Sequence, residues 1–353
     1  MSRPANLTDC YRLIAAICIV WLHSSFVLKL PPLQQTLISQ AQVLFLSWAL
    51  PFFYFTTAEF SLLSVYKHAD ILYSWSRVKK FIVLILFHSV VMFSLMMTGQ
   101  FLAGNFSRLE NWLGWYFYSL KYGNPSAVIF LFHALLIYLA AHLVQKLGQL
   151  VSLKIVKCLL VIGMILTWFF CYQLPLIFRA TGLTISLTSW VGMMVGFIVT
   201  LLPFSYFSPA KKVLTMPMLL AVVVLPMLMS GLPYLLWPQA LPLQVAALIL
   251  LGITLHGLRR IFAHLSGALA QRLSQWGQEY SLGIFLLHGP IMKTIDWLMT
   301  KLLAANDGGS ELLGVWLAIN LLTLGLTLVM VVLVAHSPLR TLITLQTVAE
   351  QKK

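Results

Sequence analysis

Charge is what this sequence has least of. Only 9% of its 353 residues are Asp, Glu, Lys or Arg, and nine in all are acidic, whereas a water-soluble domain carries about 25% charged residues. So few charges cannot coat a water-facing surface, which excludes a soluble enzyme or a soluble binding module. Cysteine is scarce too. Cys10, Cys18, Cys158 and Cys171 show no C-x-x-C spacing and read as small apolar core residues rather than disulfides or metal ligands. No His/Asp/Glu spacing matches a metal site. Neither an internal repeat, nor the inverted symmetry of many transporters, nor a nucleic-acid-binding motif is legible.

What fills the chain instead is apolar: 60% of residues are hydrophobic, with a mean hydropathy of +0.91. The pattern predicts an all-α polytopic membrane protein with helices over roughly 10–28, 41–65, 81–101, 124–145, 156–174, 185–204, 213–236, 241–258, 279–299 and 312–336. Such helices, rising about 1.5 Å per residue, are long enough to cross about 30 Å of hydrocarbon, the eighth only just. The first stretch is too long for a signal-peptide core and lacks a small-residue cleavage pattern, so it is expected to stay as the first membrane helix. One domain over 1–353 is expected, with a cytoplasmic tail over 337–353. The longest stretch between helices, 102–123, carries Trp112, Trp115, Tyr116, Tyr118 and Tyr122. These aromatics suit an interfacial segment lying at the outer headgroup level, and sugars stack on such rings.

The net charge of +14 reads as topology. With the N-terminus inside, the inner loops and helix ends collect Arg3, Arg12, Lys67, Arg77, Lys79, Lys80, Lys146, Lys154, Lys157, Lys211, Lys212, Arg259, Arg260, Arg272, Arg340, Lys352 and Lys353. Only Lys29, Arg108, Lys121, Arg179, Lys293 and Lys301 fall in the outer half. Such asymmetry places both termini in the cytoplasm.

Function in a membrane protein is sought first among the ionisable groups within the hydrocarbon, because placing them there costs free energy. Arg12 and His23 are eleven residues apart, so on one helix they point within about 20° of each other and about 16 Å apart along the axis. Asp9, a turn before Arg12, is placed to pair with it. A neutral imidazole beside a water-filled passage is what general-base activation of a hydroxyl requires, although a histidine that only hydrogen-bonds a neighbouring helix is the bland alternative. Glu59 lies within the second predicted helix and needs a partner, Arg12 or Arg77, and a structural ion pair is its simpler reading. Arg77, Lys79 and Lys80 suit topology, and equally a ligand with several phosphates. His288 is expected at the depth of His23, with Lys293 and Asp296 further on. His88, His133, His142, His256, His264 and His336 are expected to be structural.

Taken in order, these residues resemble the acyltransferase 3 family of integral-membrane O-acyltransferases. Asp9-x-x-Arg12 followed by His23 resembles its first-helix signature, and the run Pro51 to Leu63 is similar to its second-helix end. Arg77-Val78-Lys79-Lys80 resembles the basic motif that follows. Phe130 to Tyr138 is similar to its fourth-helix segment, and Tyr280 to His288 to its S-x-x-I-Y-x-x-H element. The chain departs from that pattern at Leu13, at Thr57-Ala58-Glu59, at Lys80, and in lacking a tryptophan in the fourth-helix segment. The resemblance implies ten membrane helices in a bacterial inner membrane. It also implies transfer of an acyl group, commonly acetyl from acetyl-CoA, to a hydroxyl of a cell-envelope glycan or lipid-linked sugar. It would make His23, Arg12, His288 and Glu59 catalytic, and Arg12, Arg77, Lys79 and Lys80 the grip on the donor. A transporter of a lipid-linked saccharide or small anion would use the same intramembrane polar groups as a permeation path.

Overall fold

The computed structural model describes residues 6–23, 31–46, 48–68, 71–102, 126–170, 187–201, 216–236, 241–261, 268–303, 312–337 and 339–340. Among them no strand occurs, and eleven helices do: α1 (Leu7–Leu22), α2 (Pro32–Leu46), α3 (Ala49–Lys67), α4 (Ile71–Leu102), α5 (Ser126–Leu150), α6 (Leu153–Phe169), α7 (Leu187–Leu201), α8 (Met216–Leu236), α9 (Leu241–Ile261), α10 (Ala268–Leu303) and α11 (Leu312–Ala335). Three helical stretches, Pro32–Lys67, Val128–Leu150 and Leu313–Ala335, are long and apolar enough to cross a membrane. Leu143 on α5 and Leu333 on α11, each 61% exposed, face outward as lipid-solvated side chains do. The aromatic segment 102–123 lies outside the described residues, except for the backbone of Leu102, as do Cys171, His264, Arg3, Lys29, Lys211, Lys212 and the C-terminal lysines.

The helix ends follow from local chemistry. Asn6 caps α1 by accepting from the Asp9 N–H at 2.9 Å, and Ser152 caps α6 by accepting from the Ile155 N–H at 3.5 Å; short polar side chains at this position satisfy donors that the first turn leaves open. Pro32 opens α2, where a missing N–H is harmless. The helix expected over 41–65 is described up to Leu46 as α2 and from Ala49 as α3. Pro51 stands in the first turn of α3, where its missing N–H removes no intrahelical bond.

Two helices outrun their apolar cores. α4 starts at Ile71, ten residues before the expected position, and α10 runs 36 residues rather than the expected 279–299. Apolar patterning marks where a helix leaves the hydrocarbon, whereas Lys, Arg, Gln and Glu extend a helix into water as readily as leucine does. Arg77, Lys79 and Lys80 therefore sit on the first turns of α4, not in a loop. Lys79 Nζ lies 5.5 Å from the centre of the Trp75 ring one turn back, a cation–π contact at helical spacing.

α3 is the hub. Tyr54 meets Phe130 and His133 of α5, and further along the Val65 carbonyl accepts from Gln145 Nε2 at 3.2 Å. Phe55 borders Gly252 of α9, and one turn later Glu59 meets His256. On α7, Gly192 lies against Pro51 and Tyr54, and Gly196 against Phe55 and Ala58. Each pair of contacts advances along both helices together, so α3, α5, α7 and α9 all run in one direction. A methyl group on Gly196 would lie 2.6 Å from the Phe55 carbonyl oxygen and 2.7 Å from Ala58 Cβ. Gly192-x-x-x-Gly196 thus lets the α7 backbone lie directly on α3, as small residues at this spacing do within membranes. Ala58 completes that close approach from the α3 side.

Candidate functional site

The site is built on the pairing of α1 with α10. The Asn6 N–H donates to Ser274 Oγ at 3.0 Å, and three residues further along each helix the Asp9 carbonyl presses on Gly277 so closely that a methyl group there would overlap it. Towards the other end, the rings of His23 and His288 have their centres 5.1 Å apart at 53°. The two helices are therefore parallel. Elements separated by most of the chain bring their histidines to the same level.

α1 is continuous up to Leu22, and the His23 N–H still bonds the Ile19 carbonyl at 3.2 Å. His23 is thus the residue that closes the helix rather than one in its middle, and its direction relative to Arg12 remains the roughly 20° of eleven helical steps. At the opposite end Asp9, buried, stands 3.6 Å from the half-buried Arg12 guanidinium. Asn6 Nδ2 donates to the second Asp9 oxygen at 2.6 Å. The carboxylate is therefore held from two sides and fixes the arginine at the rim of α1.

The two imidazoles share one hydrogen-bonding logic. His23 Nδ1 lies 2.8 Å from the Ile19 carbonyl. His288 Nδ1 lies 2.8 Å from the Phe285 carbonyl and 3.2 Å from that of Ile284. A carbonyl oxygen only accepts, so in both rings Nδ1 carries the proton and donates, and Nε2 keeps the lone pair of a base. His23 is exposed, and His288 is wholly buried. No residue among those described bonds His288 Nε2. Phe285, whose ring centre is 5.9 Å from that of His288, packs on Phe53 and Phe130. This wall of rings fixes the imidazole from the α3 and α5 side, each aromatic pair adding about 0.5–1.5 kcal/mol beyond its buried area.

Glu59 is buried on α3, and His256 Nδ1 of α9 lies 3.4 Å from its Oε1. Arg12 or Arg77 was the expected partner; a histidine expected to be structural stands beside the carboxylate. Its position one helical turn after Gly252, where α9 closes on Phe55 of α3, explains the meeting. No sequence pattern links residues 59 and 256; only the α3–α9 packing does. Tyr54 and His133 are a second meeting of this kind, both buried, with Tyr54 Oη 2.8 Å from His133 Nδ1. The described structure thus joins His23 with His288 and Arg12 with Asp9. Glu59 belongs with His256, and Arg77, Lys79 and Lys80 with the start of α4.

Among the described residues no group of three or more His, Cys, Asp or Glu side chains could hold a metal ion. Comparison with known protein families, with curated proteins and with solved structures finds no match for this chain.

Proposed function

We propose that this protein is an integral-membrane O-acyltransferase, crossing a bacterial inner membrane about ten times with both termini in the cytoplasm. It would transfer an acetyl group from acetyl-CoA to a hydroxyl of an envelope glycan or lipid-linked sugar. The observation that carries the reading is the pair of imidazoles, His23 and His288, on parallel helices with both Nε2 atoms left basic. The motif resemblance in the sequence supplies the reaction class. Arg12, Arg77, Lys79 and Lys80 hold the donor's phosphates, for which multiple cations are suited. His23, at the exposed end of the pair, takes the proton of the acceptor hydroxyl, and His288 positions it. The hydroxyl oxygen forms a bond to the acyl carbon, the carbon–sulfur bond breaks, and the proton passes to the departing thiolate. Glu59 acts through the α3–α9 packing and His256.

The test is to incubate the purified full-length protein in detergent with labelled acetyl-CoA, alone and with candidate acceptor sugars. Hydrolysis, self-labelling or transfer that is lost in His23→Ala supports the enzyme. Saccharide movement in proteoliposomes that needs no donor, with no acetyl chemistry, would make the protein a transporter instead.

A further inference from the structure

Three exposed lysines that the acyl-transfer reading leaves unused gather at one rim of the bundle. α5 and α6 are joined by Val151 and Ser152 alone and pack on each other as a hairpin. A methyl group on Gly148, near the end of α5, would stand 3.4 Å from Tyr66 Oη and 3.8 Å from Leu153 Cδ1. The end of α3, the end of α5 and the start of α6 therefore meet there. Lys67 follows Tyr66, Lys146 precedes Gly148 by two residues, and Lys154 follows Leu153; all three are exposed. Lys146 lies within about 6 Å of the end of α5 along the axis, and Lys154 is the second residue of α6.

The faces that carry these lysines point away from the bundle. Leu139, Leu143, Lys146 and Leu150 lie within an arc of about 60° on α5, and every one is exposed, Leu150 by 80%. α6 repeats the spacing: Lys154, Cys158, Val161 and Ile165 cover the same arc and are exposed as well. Each stripe is thus an outward apolar face with one lysine close to the rim. A lysine so placed lays its stem on apolar surface and carries its ammonium to the headgroup level. Little acid neutralises these charges. No Asp or Glu occurs between Glu110 and Glu279, so α5 and α6 have none. Glu59, the acid of α3, is buried beside His256 about two turns before Lys67. Asp70, three residues after Lys67 and outside the described residues, is one charge against three.

We infer that the rim carrying Lys67, Lys146 and Lys154 is a seat for an anionic phospholipid, with its phosphate among the ammonium groups and its acyl chains along the α5 and α6 stripes. Uncompensated cations at headgroup level select an anionic lipid over a zwitterionic one. The apolar faces that run on from the lysines select a partner that brings hydrocarbon chains. A free phosphate or coenzyme A would match the charges alone. The inference goes beyond acyl transfer and rests only on the membrane placement proposed above.

The test titrates phosphatidylglycerol or phosphatidylcholine, matched in acyl chains and different in headgroup charge, into the purified full-length protein in detergent. Native mass spectrometry reads the Kd of the first lipid adduct. A lysine beside an anionic headgroup is worth about five-fold in binding, so three lysines should give the wild type a preference for phosphatidylglycerol of about 10²-fold. Combining Lys67→Gln, Lys146→Gln and Lys154→Gln should reduce that preference to about five-fold or less. The corresponding three arginine substitutions keep the charge and should keep the preference. Lys293→Gln, which removes an exposed lysine from α10 instead, should leave it unchanged. A wild type without preference, or a triple glutamine variant that retains it, overturns the inference. So does a triple glutamine variant that keeps its lipid preference but loses coenzyme A, titrated in the same way, since the lysines would then belong to the donor. Acetyl transfer by a protein with no lipid preference defeats this inference alone. Lipid preference without acetyl chemistry defeats the enzymatic reading alone.

Discussion

Replacing Gly277 with alanine tests the contact on which the histidine pair depends. The added methyl would overlap the Asp9 carbonyl oxygen, a backbone atom that no rotamer change removes. α1 and α10 must then part locally by about 1 Å or more to restore a van der Waals contact. The Asn6–Ser274 hydrogen bond, now 3.0 Å, would stretch past its useful range, losing about 1 kcal/mol. Overpacking adds about 1–3 kcal/mol, and the helix propensity of alanine over glycine returns about 1 kcal/mol. The net expectation is a loss of about 1–3 kcal/mol. Gly289→Ala, on the same helix but with nothing within 4 Å of the new methyl, gains only the propensity term. Thermal unfolding of the two variants in one detergent, followed by fluorescence-detected size exclusion, should place Gly277→Ala below and Gly289→Ala at or above the wild type. Acetyl transfer by Gly277→Ala should fall by about 10²-fold, as displacements near 1 Å at a reacting centre do. Equal melting temperatures for the two variants would refute the close α1–α10 contact.

His23→Ala should lower acetyl transfer by about 10²–10⁴-fold, the usual worth of a positioned base, while membrane insertion measured by fractionation stays intact. Removing one partner of the Glu59–His256 pair, by Glu59→Leu or His256→Leu, should cost about 1–3 kcal/mol, and the double variant should cost less than the sum of the two. Strict additivity in thermal unfolding would show that the two side chains do not interact. Tyr54→Phe leaves a buried His133 nitrogen without its hydroxyl and should destabilise by about 1–3 kcal/mol; an unchanged melting temperature would contradict the 2.8 Å contact.

Much of the helical architecture is legible in the sequence because the constraint is severe: a backbone without water must bond to itself. The apolar runs at 124–145, 185–204 and 312–336 correspond closely to α5, α7 and α11. The misplaced boundaries belong to α4 and α10, whose polar ends are helical without being hydrophobic. Arg12, His23 and Asp9 could be related from helical spacing alone because they share one helix. His288 could be assigned a depth but not a neighbour, since only the packing of α1 on α10 sets its ring 5.1 Å from that of His23. The company of Glu59 was not legible, because His256 lies nearly two hundred residues away and no periodicity joins them.

The parallel pairing of α1 with α10 also governs how the chain is made. Synthesis delivers N-terminal segments first, so α1 is complete long before the partner that contacts Asn6, Asp9 and His23 has emerged from the ribosome. Throughout that interval the capping of Asp9 by Asn6 and its ion pair with Arg12 are the means by which the lone helix shields its own polar atoms. Variants such as Asn6→Ala should therefore be degraded as nascent chains, giving low yields, even where the few completed molecules are properly assembled.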